Sequence, residues 1–476
     1  MREGESSAAT RSILAFRSSR ISTSRQADMR FLDSVSAIRN CRGICVMGKW
    51  TTMSMLSGLT LVSAMPVPAG LPAEEPVALA AVVEEAVQRN PELQASKAMY
   101  EASTFRPSQE GALPDPTIGI MSTSMTNPIP LYYADPIANV AIRASQEIPY
   151  PGKRRLASEA AKLESEALEQ SYQARRLAVI AWAKEAYFAI AYYDRALRLL
   201  GENLVLLDEL SRAAQTRYAV GTSSQQDVLR AQTEISVLTA RKVAIEQQRQ
   251  AAVARLNGLL NRPAGTPFGT PVDYPIPALP PLAADLREGA RARSPELRAR
   301  QLDLDAAAAK LELAKKQLMP DFMLGASYGY SREYRDMWQL NLDLKVPLYR
   351  REKQKMGIQE ETRNVEVARR ELDGALQTVT AGIEEQYAMA AAAWRLITLY
   401  DSGIIPQARL TLEASLSSYK VGEVDFLTVV TNFISVLEYR MNYYEQVSDY
   451  QKALSQIEQL AATELLSTQA TTENKS

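Results

Sequence analysis

Apolar and polar residues alternate strictly between positions 338 and 347 of the chain. One set of alternate positions is apolar: Trp338, Leu340, Leu342, Leu344 and Val346. The other set is polar: Gln339, Asn341, Asp343 and Lys345. A period of two predicts a β-strand with one apolar and one polar face. In a soluble sandwich the polar face would meet water, whereas in a transmembrane barrel it would line a wet lumen and the apolar face would meet lipid.

Three more strands are predicted by similar patterns, and the four strands form two hairpins. Residues 322–330 alternate, and a short polar turn joins them to the strand at 338–347. In the first half of the chain, residues 139–148 alternate well and residues 117–125 alternate poorly. A longer loop rich in Pro and Tyr separates those two segments. The sequence therefore predicts two hairpins that lie far apart along the chain.

Short motifs recur in the same order at an offset of about two hundred residues. The matching pairs are NPEL at 90–93 with SPEL at 294–297, LPD at 113–115 with MPD at 319–321, IPY at 148–150 with VPL at 346–348, and YAVG at 218–221 with YKVG at 419–422. These matches predict an internal duplication, with repeats at 77–262 and 282–466. Between them, residues 263–281 carry seven prolines and are predicted to be a linker.

Each repeat is predicted to contain a helix, a β-hairpin and then two very long helices. Residues 153–262 contain no proline and are dominated by Ala, Leu, Glu, Gln and Arg, which are good helix formers. Gly221 is the predicted turn, and a nearby Ser or Thr can cap the returning helix. The outgoing helix would be about 100 Å long at 1.5 Å per residue. The second repeat follows the same plan from Arg350, with its turn at Gly422 and a predicted break at 403–406.

The two ends of the chain differ from the repeats. Residues 47–73 have the pattern of a secretory signal peptide, with Lys49, a short apolar run at 53–64 and small residues for cleavage at Ala64, Ala69 and Ala73. Residues 1–46 are either an extended leader or the product of a start codon upstream of Met47. We favour the second, because export signals rarely begin so far inside a chain. Residues 467–476 are a polar tail.

Composition excludes several classes of function. The chain has 54 Lys and Arg against 55 Asp and Glu, so no nucleic-acid partner is indicated. It has no histidine, which is the commonest general base and metal ligand. Its only cysteines, Cys41 and Cys45, precede the predicted signal peptide. We therefore predict no enzymatic activity, no cofactor and no metal site, since catalysis by carboxylates alone has no motif behind it.

Long helices and short strands both require partners. Helices of this length cannot bury their apolar stripes within one small globule. Four strands cannot close a barrel, and open sheet edges are not tolerated in lipid. Two chains would give a barrel filled by side chains, whereas three would give twelve strands and leave a lumen. The polar face with Asp343 and Lys345 fits a wet lumen, so the sequence indicates a trimer.

The signal peptide, the duplicated halves, the NPEL and SPEL pair and the two Tyr-x-Val-Gly turns together resemble the TolC family of outer-membrane efflux proteins. The resemblance covers about 77–466 and implies a mostly α-helical channel-tunnel with a membrane β-barrel portion. It also implies a homotrimer with a twelve-stranded barrel in the outer membrane of a Gram-negative bacterium and an α-helical tube in the periplasm. Expected partners are outer-membrane lipid, a periplasmic adaptor and an inner-membrane pump of the RND type. The IPYPGKRR junction at 148–155 resembles the heavy-metal and cation branch.

Functional roles carried over from the family fall on the two helical turns and on one strand. Adaptor contacts would involve Tyr218, Val220, Gly221, Thr222, Tyr419, Val421, Gly422 and Glu423. Turning the chain is by itself a sufficient reason for both glycines. The barrel lumen would be lined by Gln339, Asn341, Asp343 and Lys345.

A periplasmic gate is the third role that the resemblance implies. Asp227 and Tyr419 occupy the positions of two residues that are linked in the closed state of the family. Val424, Thr428 and Thr431 stand where the family prototype has an Arg and two Asp residues. Glu423 or Asp425 would therefore have to replace that acidic ring. Asp227 could equally be a solvated residue in the first turn of a helix.

Other functions remain open from sequence alone. The cargo of a passive duct could be a metal ion, a drug, a solvent or, in a type I secretion system, a protein. The hairpins could also decorate a soluble periplasmic coiled-coil scaffold, which would need no detergent for extraction and would not change permeability.

Overall fold

A computed structural model of the chain describes residues 76–123, 139–280, 282–331 and 335–466. All of these residues lie within one compact unit. The predicted leader at 1–46, the signal peptide at 47–73 and the polar tail at 467–476 lie outside the described residues, as do parts of both hairpin loops.

The two halves of the chain have the same order of elements. The first repeat contains α1 (Leu79–Arg89), α2 (Pro91–Ser103), α3 (Arg106–Gly111), β1 (Thr117–Thr123), β2 (Asn139–Ile148), α4 (Lys153–Ala219) and α5 (Gln225–Leu259). The second contains α6 (Ala283–Arg293), α7 (Pro295–Lys316), β3 (Asp321–Ser331), β4 (Met337–Lys345), α8 (Lys355–Leu399), α9 (Ile405–Val421) and α10 (Phe426–Ala461). A π-helical turn precedes α8 at Arg350–Gln354, and another joins α8 to α9 at Tyr400–Ile404. The predicted order of helix, hairpin, long helix and long helix is confirmed.

Asn90 explains why the first helical segment restarts. Pro91 has no backbone N–H and is tolerated at the first position of α2. The Asn90 side chain caps this new helix by accepting a bond from the N–H of Leu93 at 3.0 Å. Its amide also donates to the carbonyl of Leu259 at 3.1 Å, so the cap attaches α2 to the end of α5.

The four strands form one antiparallel sheet in the order β1, β2, β3, β4. The pairing of β2 with β3 joins the two repeats, and it sets Ile142 opposite Tyr328. Tyr328 is in turn opposite Trp338 on β4, so side chains of three strands align across one face. Within the described residues, β1 and β4 each pair on one side only and form the edges of the sheet.

A hydrophobic core lies where α4 packs against α7, α5 and α10. Tyr187, Phe188 and Tyr450 are among its fully buried side chains. The Tyr187 hydroxyl lies 2.9 Å from the carbonyl oxygen of Val77 and 3.0 Å from that of Val272, so it fixes the linker against the start of the first repeat. Burial raises the pKa of Tyr187 to about 12.

One buried ion pair crosses this region between α4 and α10. The ammonium of Lys184 lies 2.5 Å from the carboxylate of Glu458. The second carboxylate oxygen of Glu458 accepts bonds from the backbone N–H groups of Leu465 and Leu466. The pair therefore holds the chain that follows α10 against the helices.

The α-helix is interrupted at the predicted break of 403–406. The interruption is a π-helical turn at Tyr400–Ile404 and not a loop, so the chain passes directly from α8 into α9 along a helical path. Pro406 lies in the first turn of α9. A wider π turn accommodates the missing N–H and the ring of proline, which an unbroken α-helix would not. Among the described residues, no helix has both the length and the apolar character needed to cross a membrane.

Candidate functional site

One face of the sheet is apolar and exposed. Ile120 and Leu340 are each 81% exposed and Trp338 is 78% exposed, although all three belong to regular strands. The same face also carries Ile118, Val140, Ile142, Leu324, Tyr330, Leu342 and Leu344. Single exposed apolar residues are normal, whereas a contiguous apolar face of this size marks an interaction with protein or with lipid.

The opposite face is polar and contains ion pairs between strands. The predicted lumen residues Gln339, Asn341, Asp343 and Lys345 all lie on it, because they alternate with the apolar positions of β4. Lys345 lies 3.0 Å from Glu147 on β2, with β3 between them. The guanidinium of Arg143 lies 3.8 Å from Asp343, and the amide of Asn341 donates to Asp343 at 2.8 Å.

Small residues on β3 make room for these contacts. By register, Gly325 lies between the positions opposite Arg143 and Asp343. A Cβ atom at Gly325 would collide with the amide of Asn341, and one at Gly329 would lie 2.6 Å from the amide of Asn139. Side chains of β2 and β4 therefore fold over β3. Alternation predicted the polar face for Lys345, but its partner on β2 depends on strand order, which alternation alone does not give.

The two long-helix turns have the same backbone geometry. Gly221 has a φ of 76° and Gly422 a φ of 83°, a region that favours glycine. The N–H of Thr222 bonds to the carbonyl of Arg217, and the N–H of Glu423 bonds to that of Ser418, each at 2.9 Å. Both turns thus end their helices with a Schellman-type pattern.

Exposed apolar side chains flank both glycines. Val220 is 70% exposed and Val421 is 72% exposed. Tyr218, Thr222 and Glu423 are also exposed, whereas Tyr419 is half-buried. The structure therefore brings together the first four predicted tip residues at one turn and the second four at the other. We refer to these two groups below as the helical tips.

The two acidic residues predicted for the gate cap helices. Asp227 forms a capping box with Ser224 at the start of α5, and the hydroxyl of Ser223 donates to its carboxylate at 2.6 Å. Asp425 caps α10 by accepting a bond from the N–H of Thr428 at 3.0 Å. The side-chain hydrogen bond from Thr428, with the backbone bond, lowers the pKa of Asp425.

The expected link between Asp227 and Tyr419 is absent from the described residues. The Tyr419 hydroxyl is buried and makes no hydrogen bond there, while the carboxylate of Asp227 is engaged by its own capping box. The Tyr419 ring contacts Arg217 instead, with the guanidinium carbon 4.4 Å from the ring centroid. Sequence reasoning missed Arg217, whose only signal was its position in the last turn of α4.

The sequence profile of outer membrane efflux proteins matches residues 82–262 and 286–463, which are the two repeats. The chain belongs to the outer membrane efflux protein family. The resemblance to TolC-like channels is therefore confirmed, and members of this family are channels rather than enzymes. Membership places the protein in the outer membrane, and the helical tunnel of such channels extends into the periplasm.

Individual relatives of this chain are distant. It is 28% identical over 257 residues to Protein CyaE of Bordetella pertussis, a match that spans 51% of this chain and 53% of that relative. The outer membrane protein VceC of Vibrio cholerae is 18% identical with a TM-score of 0.69, over 81% of this chain and 96% of that one. The open state of the MtrE outer membrane channel of Neisseria gonorrhoeae is 20% identical with a TM-score of 0.66, over 81% and 89%. These likenesses show a shared channel-tunnel fold.

Proposed function

We propose that this protein is a passive, trimeric exit duct in the outer membrane, which carries small molecules or metal ions outward from an inner-membrane pump and a periplasmic adaptor. The observation that supports it most directly is the sheet, with an exposed apolar face on one side and cross-strand ion pairs on the other. An apolar face fits lipid, and the charged face fits water.

The two edges of the sheet support the trimer. β1 and β4 each have one unpaired side among the described residues, and unpaired backbone N–H and C=O groups cost several kcal/mol each, roughly, in hydrocarbon. Pairing of β4 with β1 of a neighbouring protomer would satisfy both edges. Three protomers would give a closed wall of twelve strands around an aqueous lumen, which the ion pair of Lys345 with Glu147 would line.

The helical tips are the proposed contact sites for the adaptor. Exposed Val220 and Val421 offer apolar surface at the end of the long helices, where an apolar partner side chain would release water. In this proposal Tyr419 and Asp425 also belong to a periplasmic gate near the tips, together with Asp227. The pump would be of the RND type, and it would select the cargo.

Membrane fractionation followed by conductance recording tests this function. The protein is expected in the outer-membrane fraction as heat-modifiable trimers, and the purified trimer should carry ionic current across planar lipid bilayers. Extraction without detergent, or a monomer that leaves bilayer conductance unchanged, would instead support a soluble periplasmic scaffold. The exposed apolar face makes that alternative costly, because it would leave Trp338 and Leu340 in water.

The phenotype of a gene deletion distinguishes the possible classes of cargo. Increased sensitivity to drugs, solvents or metal salts would identify an efflux duct and its substrates. Unchanged sensitivity together with loss of a secreted protein from the medium would assign the duct to type I secretion.

A further inference from the structure

Basic side chains gather at the two junctions where the sheet passes into the long helices. The first junction is residues 149–154, from β2 into α4, and the second is residues 346–355, from β4 into α8. Both junctions line one cavity of about 700 Å³. Six cations here have no carboxylate within 4.0 Å among the described residues: Arg154, Lys316, Arg350, Arg351, Lys353 and Lys355. We call these six residues the basic band.

The carboxylates at the junctions do not neutralise the basic band. Asp321 lies 2.7 Å from the ammonium of Lys153, and Glu147 is the partner of Lys345, so both acids are already paired. Three further carboxylates at the junctions are exposed and pair with none of the six cations: Glu110, Asp115 and Glu352. The basic band therefore keeps a net positive charge.

The start of α4 makes this charge unfavourable for the isolated fold. The helix begins with three consecutive cations at 153–155 and has no acidic residue in its first turn, although a helix N-terminus is the positive end of the dipole. The guanidinium of Arg154 donates only to the neutral carbonyl of Gly111, at 2.8 and 2.6 Å. Lys316 lies 5.9 Å from the centre of the Tyr150 ring at the same junction. An external anion would be attracted by these cations and by the helix dipole together.

The basic band borders the exposed apolar face of the sheet. Leu348 is 81% exposed and Tyr349 is 74% exposed, and they lie between the last strand positions and Arg350. The chain thus passes from apolar to aromatic to basic side chains within a few residues. This order is typical of a membrane surface, where apolar groups contact acyl chains, aromatic rings lie at the level of the head groups and cations contact lipid phosphates.

We propose that the basic band binds the phosphate of an anionic phospholipid of the phosphatidylglycerol type in the periplasmic leaflet of the outer membrane. This proposal rests on the proposed channel function, which places the sheet in the membrane and the helices in the periplasm. A zwitterionic lipid carries its own ammonium, which the six cations repel, so a head group with net negative charge is preferred. A lipid fits better than free phosphate, because Leu348 and Tyr349 offer apolar surface to its acyl chains.

Native mass spectrometry of the purified full-length trimer tests this assignment. The trimer is mixed in detergent with equal amounts of phosphatidylglycerol and phosphatidylethanolamine that have the same acyl chains. Wild type should retain phosphatidylglycerol preferentially, and Lys353→Gln should lower the ratio of the two bound lipids about fivefold, which is the contribution of one basic residue near an anionic surface. Lys353→Arg should match wild type. Arg363→Gln is the control, since Arg363 is exposed, pairs with Glu366 and lies about 15 Å farther along α8.

Equal retention of the two lipids by wild type overturns the lipid site, and so does an equal loss of preference in Lys353→Gln and Arg363→Gln. Displacement of phosphatidylglycerol by millimolar inorganic phosphate at constant ionic strength would assign the basic band to free phosphate and overturn the lipid as its ligand. The wild-type comparison needs no variant, so it decides the question even where a substitution prevents assembly.

Bilayer conductance of the same preparations separates this proposal from the proposed function. Conducting trimers without lipid preference overturn the lipid site and leave the channel function intact. Should no preparation conduct, the proposed function fails and the lipid site fails with it.

Discussion

The side-chain nitrogen of Lys184 lies 2.5 Å from the carboxylate of Glu458, and each of these side chains is at most 9% exposed. Neither charge has another described ionic partner at that distance. The attraction between the two charges offsets the free-energy cost of removing each of them from water. Lys184 and Glu458 are thus each other's ionic partner although they lie 274 positions apart in the chain.

Replacing Lys184 with methionine should destabilise the protein by about 3–5 kcal/mol, because Glu458 would remain buried with an uncompensated charge. The thermal unfolding midpoint of the detergent-solubilised protein measures this effect. Lys162→Met is the control, since Lys162 pairs with Glu166 on the exposed surface of the same helix and should cost roughly 1 kcal/mol or less. Equal shifts in the two variants would contradict a special role for the buried pair.

Adjacent residues on β4 should respond oppositely to a new charge. Leu340→Lys places an ammonium on the apolar face and should cost about 2–4 kcal/mol if that face meets lipid. Gln339→Lys places the same charge on the polar face and should be tolerated. The two variants are compared by the yield of trimer in the outer-membrane fraction. A soluble scaffold would show no such asymmetry, and Leu340→Lys would then be as abundant as its neighbour.

Charge changes on the polar face of the sheet should alter ion selectivity. Asp343→Asn leaves Arg143 without its carboxylate partner and should shift the reversal potential in a salt gradient toward anions. Lys345→Gln leaves Glu147 unpaired and should shift it toward cations. Lys97→Gln on α2, outside the sheet, is the control. Identical reversal potentials in all variants would mean that this face does not line the conducting path.

Glu185 provides a test of pH dependence. Burial raises its pKa, an effect only partly offset by a hydrogen bond from Gln456 and by the charge of Lys452. A carboxyl whose pKa is higher in the folded state weakens folding as the pH rises from its unfolded value through its folded value. Glu185→Gln should therefore melt at a higher temperature than wild type at about pH 8, and the difference should shrink at about pH 4.

Glu202→Gln is the control for this comparison, because it makes the same substitution at an exposed position of the same helix. A larger advantage of Glu185→Gln at low pH than at high pH would show that the sign of the pKa shift is wrong.

Local pattern predicted most of the secondary structure but few of the long-range partners. Alternation placed Asp343 and Lys345 on one face. The proline-free run at 153–262 predicted long helices that turn at Gly221, and the internal repeat extended this plan to the turn at Gly422. The α-helix is interrupted at the predicted break of 403–406, but proline rules do not predict the form of the interruption, a π turn that gives Pro406 space. The pairs of Lys184 with Glu458 and Arg217 with Tyr419 depend on how distant helices pack, and neither has a signature in its own neighbourhood.

The pairing of β2 with β3 bears on the order in which the wall of the proposed barrel would assemble. Residues 149–320 join the two hairpins within one chain, so this junction forms between segments of the same protomer. In a closed ring of protomers, the junctions between hairpins would alternate. Each β2–β3 junction would join segments of one chain, whereas each junction of β4 with the next β1 would join two separate chains. Ring closure would then be the only step of wall formation whose rate depends on protomer concentration, and insertion into lipid would have to wait for it.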